Sequence, residues 1–126
     1  MSDNTLLPLS VLLVEDNEMI GELTLRFLGR LFAQTHWAKT GTEGLALYHA
    51  HRPAMLVVDQ LLPGCFGSEL ITEVRKSDLF VPILGISASS MGTEIEALEA
   101  AGATVAVEKP LTLGLLRAFV AEQLPQ

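Results

Sequence analysis

Ala54-Met55-Leu56-Val57-Val58-Asp59 decides the fold: an unbroken apolar run, following Pro53, that stops on a carboxylate. Apolar residues without polar alternation predict a strand buried on both faces, as in a parallel sheet. Such a strand carries Asp59 to its carboxyl end. In open α/β sheets ligands bind in the crevice beyond those ends, and a buried acid without a partner is costly, so Asp59 reads as a functional group.

The flanking sequence repeats the pattern. Ser10–Val14 is a second apolar run and ends in Glu15-Asp16-Asn17-Glu18. With Asn17 as N-cap, Ile20, Leu23, Phe27 and Leu31 predict one inward face of an amphipathic helix. Gln34–Ala38 predicts a short strand, and Thr40-Gly41-Thr42-Glu43 a capping box opening a helix through Tyr48. After Asp59 comes a loop punctuated by Pro63, Gly64 and Gly67, then a helix with Leu70, Ile71 and Val74 inward. Val81–Ser87 predicts a fourth strand. Thr93-Glu94-Ile95-Glu96 resembles a second capping box, with its helix ending near Ala101 and Gly102 following as the C′ residue. Ala103–Val107 predicts a fifth strand, followed by Glu108-Lys109-Pro110 and a last helix with Leu113, Leu116, Val120 and Leu124 on one stripe. Five β-α units without repeat or linker predict a three-layer α/β sandwich around a parallel sheet with right-handed crossovers.

The chain of 126 residues is expected to be one domain over 1–126, with a core from about 9 to 124 and no output domain. A net charge of −7 with eight scattered Lys and Arg argues against direct nucleic-acid binding, which needs clustered cations against phosphate. Met1-Ser2-Asp3-Asn4 lacks the positive start of a signal peptide, and no apolar run approaches the roughly 20 residues that span a bilayer, so a cytoplasmic setting is expected. Cys65 is the single cysteine and reads as a bystander thiol. His49 and His51, two apart, point to different helix faces and do not read as a metal pair.

Glu15, Asp16, Asp59, Ser87 and Lys109 each stand just after a predicted strand, and the βα loops of a parallel sheet share one edge. Alone, each has a plain reading: first-turn acids favoured by a helix dipole, a strand-end hydroxyl, a solvated lysine. Together they point to one chemistry. Converging carboxylates must raise a pKa or share a cation. An oxygen-only set suits Mg²⁺, with Mn²⁺ as an alternative ion. Lys109 adds a mobile positive charge and Ser87 a hydroxyl donor, the parts of a phosphoryl-transfer site in which a carboxylate is a competent acceptor.

On Val14-Glu15-Asp16-Asn17, Asp59 with Pro63 and Gly67, Ser87-Ala88, Ala101-Gly102-Ala103 and Lys109-Pro110, in that order across the chain, the sequence resembles a response-regulator receiver domain of two-component signalling. The resemblance implies a flavodoxin-like, doubly wound fold with five helices and strand order 2-1-3-4-5. It implies phosphorylation of Asp59 by a histidine kinase or histidine phosphotransfer protein. It also implies Mg²⁺ held by Asp16, Asp59 and the main-chain carbonyl of Leu61, with Glu15 acting through a metal-bound water. Lys109 would pair with the phosphoryl group, Ser87 would move to bond it, and the Lys109-Pro110 bond would be cis. Such a domain catalyses only its own phosphorylation and dephosphorylation, and an unknown downstream protein reads the result.

Three features qualify that expectation. Ala106 stands where many such domains carry an aromatic ring that turns inward with the hydroxyl residue, so a phosphorylation-independent pseudo-receiver, a protein-interaction module, is the rival reading. Glu94, Glu96, Glu99, Glu108 and Glu122 face essentially Arg117 in the last third of the chain, so a monomer is expected. Leu61 offers a hydrolytic water no hydrogen bond, so a long-lived phosphoryl group is expected.

Overall fold

The computed structural model describes residues 5–88 and 92–125; the polar leader at 1–4 lies outside them. In chain order the elements are β1 (Leu7–Val14), α1 (Glu18–Gly29), β2 (Phe32–Ala38), α2 (Gly41–His51), β3 (Met55–Asp59), β4 (Leu61–Leu62), β5 (Cys65–Phe66), α3 (Gly67–Arg75), β6 (Ile83–Ser87), α4 (Thr93–Ala101), β7 (Val105–Glu108) and α5 (Leu113–Gln123). The five-stranded sheet runs β2-β1-β3-β6-β7, parallel throughout. This is the 2-1-3-4-5 order expected of the five main strands. β4 and β5 form a separate antiparallel hairpin where the sequence predicts only a loop.

Unbroken apolar runs arise because both faces of the sheet are covered. Val11, Leu13, Met55, Val57, Leu84 and Ile86 point to one side and pack with Leu28 of α1 and Leu116, Phe119 and Val120 of α5. Leu12, Val14, Leu56, Val58 and Ile83 point to the other, against Tyr48 of α2, Leu70, Ile71 and Val74 of α3 and Leu98 of α4. With period-2 alternation, every residue of β3 then needs to be apolar except the one that leaves the core.

Several local expectations are corrected. The stripe expected on α1 is only partly inward: Phe27 and Leu31 pack against the core, but the buried residues of the helix are Gly21, Thr24 and Leu28, and Leu23 is 49% exposed. The cause is Trp37, whose ring lies so close that a Cβ on Gly21 would meet it at 2.2 Å. The helix therefore seats through its glycine, and Ile20 and Leu23 line a cleft beside Lys109, Pro110 and Leu111. At α2 Thr40 does cap Glu43 N, but Glu43 Oε1 accepts from Lys39 N rather than from the cap residue, and the helix continues to His51. The second capping box does not form: Gly92 in the left-handed region (φ 86°) precedes α4, and Thr93 is its first residue. Strand limits also move, to Phe32, Ile83 and Val105–Glu108.

Gly67 shows how the fold protects its edge. A Cβ there would lie 2.1 Å from the Asp59 carbonyl oxygen, which is backbone and cannot swing aside. Gly67→Ala is expected to cost about 3 kcal/mol in chemical denaturation. Gly29→Ala, with nothing within 4 Å of the added carbon, is expected to be neutral or slightly stabilising. Equal effects at the two positions would contradict this reading.

Candidate functional site

The five positions selected from sequence lie at the carboxyl edge of the sheet. Glu15 and Asp16 follow β1, Asp59 ends β3, Ser87 ends β6 and Lys109 follows β7. Glu15 is fully buried, Asp59 is 3% exposed, and Asp16 stands in solvent. Ligand oxygens of these three carboxylates lie within 4.8 Å of one another. Lys109 Nζ donates to Asp59 Oδ2 at 3.1 Å and lies 3.0 Å from Glu15 Oε1. The second contact is an ion pair outside hydrogen-bond geometry, so Glu15 Oε1 is a buried oxygen without a hydrogen-bond donor among the described residues. Glu15 Oε2 accepts from Asn17 N at 3.2 Å.

The backbone fixes this edge tightly. Glu15 N donates to the Ala38 carbonyl and Trp37 Nε1 to the Glu15 carbonyl, tying the end of β1 to β2. Lys109 N donates to the Ser87 carbonyl at 2.7 Å, joining the tips of β6 and β7, and the Lys109-Pro110 peptide bond is cis. Beyond Asp59, buried Gln60 accepts from Ser68 N through Oε1 and donates to Ser68 Oγ through Nε2, while its carbonyl accepts from Gly67 N at 2.7 Å. Gln60 thus ties the loop after Asp59 to α3, a role its place in an expected loop did not signal. Leu61 pairs with Phe66 in the hairpin and is 48% exposed. Ala106 lies in β7 opposite Gly85 and packs against the cluster beneath α2, α3 and α4. Ser87, fully buried, donates from Oγ to Glu94 Oε1 at 2.5 Å, a partner that sequence reasoning did not assign. Cys65, partly buried beside Glu69, has its thiol pushed up by burial, which suits a bystander.

Electrostatics match the geometry. Burial, then the neighbouring Asp59 carboxylate, raise Glu15 to about 7, partly offset by Lys109 and the Asn17 amide. The two carboxylates hold Lys109 above its ordinary value despite its own burial. One ammonium among three acids leaves negative charge in excess, on hard oxygens, with one buried oxygen lacking a donor and one carboxylate open to solvent. This donor set fits Mg²⁺.

The pH dependence has a definite sign. Glu15 raised to about 7 contributes stability that is present below the ordinary carboxyl value of 4.5 and is lost as pH rises through about 7. His36, lowered by burial and by His51, acts oppositely: its contribution is lost as pH falls below 6.5. Glu15→Gln keeps His36, so the metal-free wild type should lose melting temperature relative to Glu15→Gln between pH 5 and 8. Mg²⁺ should restore it more at pH 8 than at pH 5. Parallel curves for the two proteins would contradict the assignment.

Comparison with known proteins places the molecule. A family model described as the response regulator receiver domain matches residues 11–121. The polar-differentiation response regulator DivK of Brucella anthropi is 28% identical over 109 residues, covering 85% of this chain and 89% of that protein. The transcriptional regulatory protein MalR of Bacillus subtilis is 34% identical over 84 residues, 65% of this chain but 36% of MalR. The receiver domain of the sensor histidine kinase PA1611 from Pseudomonas aeruginosa, solved with a magnesium ion coordinated in its active site cleft, superposes with TM-score 0.83 at 22% identity, covering 93% of this chain and 98% of that one, a likeness of fold. With its sheet order, its acidic edge and a match over residues 11–121, the chain belongs to the response regulator receiver domain family.

Proposed function

We propose that this chain is a phosphoacceptor switch, taking a phosphoryl group from a phosphohistidine donor onto Asp59 in a Mg²⁺-dependent reaction and thereby changing which protein it binds. The observation that carries the reading is Asp59 at the tip of a buried strand, 3.1 Å from Lys109 Nζ and within 4.8 Å of the carboxylate oxygens of Glu15 and Asp16.

An Asp59 carboxylate oxygen attacks phosphorus in line; the new O–P bond forms as the P–N bond to the donor imidazole breaks, and the electron pair leaves with the ring nitrogen. The product is an acyl phosphate. Lys109, already bridging Asp59 and Glu15, would pair with the arriving oxygens, and Ser87, whose hydroxyl is bonded to Glu94, would have to turn to donate to them. Asp16 and Asp59 would hold Mg²⁺ with the Leu61 carbonyl, Glu15 standing behind them. When bound, that ion offsets the charge of carboxylates and phosphoryl oxygens together. No separate substrate is turned over.

The partners in this reading are a histidine kinase or histidine phosphotransfer protein and a downstream protein, in the cytoplasm. Among the described residues no helix is long and apolar enough to cross a membrane. The acidic surface of α4, β7 and α5, with Glu96, Glu99, Glu108 and Glu122 exposed, favours a monomer in both states. Incubation with a small phosphodonor and Mg²⁺ should add the mass of one phosphoryl group, and EDTA should prevent it. No gain, or a gain indifferent to EDTA, would contradict the proposal.

A further inference from the structure

Ser87 and Glu94 share a bond whose consequence follows from counting protons. Ser87 is fully buried at the tip of β6, beside the strand that ends in Asp59, with Ile86 opposite Asp59 in the register. A serine hydroxyl has one hydrogen to donate, and here it goes to Glu94 Oε1 at 2.5 Å, the short end for a hydroxyl on a carboxylate. Glu94 lies in the first turn of α4, a place where acids are favoured by the helix dipole and need no partner. Gly92, at the cap position, supplies no side chain to that helix end. The Ser87–Glu94 bond therefore ties the first turn of α4 to the sheet edge. Ala106, on the next strand, has no polar atom with which to take either place.

We propose that Glu94 is a positioning residue that holds the Ser87 hydroxyl away from the phosphoryl site, so that phosphorylation exchanges the Ser87–Glu94 bond for a Ser87–phosphoryl bond and releases the first turn of α4. The inference rests on Asp59 being the acceptor and deepens that reading. The two bonds exclude each other because they use the same proton. Phosphorylation is thus opposed by Glu94 and coupled, through its release, to the α4 surface. The coupling needs no ring at position 106, so the exit of the signal moves from a side-chain rotation to the freeing of a helix end.

The test is a double-mutant cycle read by binding of beryllofluoride with Mg²⁺, a phosphoryl mimic. Trp37 is the only tryptophan and its indole donates to the Glu15 carbonyl, so its fluorescence reports on the site. Glu94→Ala should tighten beryllofluoride binding about tenfold in the presence of Ser87 and less than about twofold in Ser87→Ala. Glu94→Gln, whose amide oxygen still accepts the hydroxyl, should tighten it less than Ala does. Glu96→Ala, which removes an exposed charge from the same helix, should change it less than about twofold. Thermal melts establish that each variant is folded. Equal tightening with and without Ser87 would show simple charge repulsion and overturn the inference, as would no tightening at all. If the wild type fails to bind beryllofluoride, the acceptor reading itself falls; if it binds and the cycle shows no coupling, the Glu94 inference alone falls.

Discussion

Asp59→Asn is expected to lower phosphoryl uptake from a small phosphodonor by more than about 100-fold while leaving the domain folded. The amide keeps the size of the carboxylate but is a poor nucleophile and cannot form the acyl phosphate. Neither neighbouring acid matches it: Glu15 has no exposed surface to present to a donor, and Asp16, though exposed, lacks an ammonium contact among the described residues. The substitution also removes the neighbour that raises Glu15, so the pH-dependent loss of stability assigned to Glu15 should shrink in the same protein. Intact mass after a fixed incubation and melting curves from pH 5 to 8 measure both. Undiminished uptake in Asp59→Asn would place the acceptor elsewhere.

Lys109→Ala is expected to destabilise the metal-free domain by about 2–4 kcal/mol at pH 8, because it strands two buried carboxylates with no cation between them. The cost is bounded by Glu15 itself. Already raised to about 7, and rising further without the ammonium, it can take up a proton instead of remaining charged. The deficit should therefore be markedly smaller at pH 6, and Mg²⁺ should narrow it at pH 8. Denaturant titrations at the two pH values, each with and without Mg²⁺, supply the comparison. A deficit independent of pH and of Mg²⁺ would mean that Lys109 contributes packing rather than charge. Phosphoryl uptake should fall with the same substitution, since neither Glu15 nor Asp59 then has a cation to share with an incoming phosphate.

The sheet was legible in the sequence because each buried strand writes its own signature. Leu56 and Val58 feed one core layer and Met55 and Val57 the other, so a two-sided environment demands an apolar run without alternation. The site was legible for a related reason: each charged residue appears where such a run stops. What escaped depends on partners distant in the chain. The inward face of α1 is set by Trp37, on another strand, and no periodicity within the helix contains that information. Glu94 lies between Thr93 and Glu96, the two ends of an expected capping box, yet its carboxylate reaches the tip of β6. Gly67 reads as turn punctuation, while its physical reason is the Asp59 carbonyl against which a methyl group would clash. His51 points away from His49, as spacing requires, but stacks on His36 of β2 with ring centroids 3.9 Å apart. That contact is invisible until the helix is laid on the sheet.

The family match spans residues 11–121, whereas the proposed switching chemistry depends on a few atoms at one edge. Those atoms make a specific claim about where phosphorus goes. Reductive trapping of the phosphorylated protein with borohydride, followed by peptide mass mapping, reads that location directly. Conversion of the Asp59 side chain to an alcohol, and of no other carboxylate, is expected. Conversion at Glu15 or Asp16, or none in a protein that carries the phosphoryl mass, would contradict it.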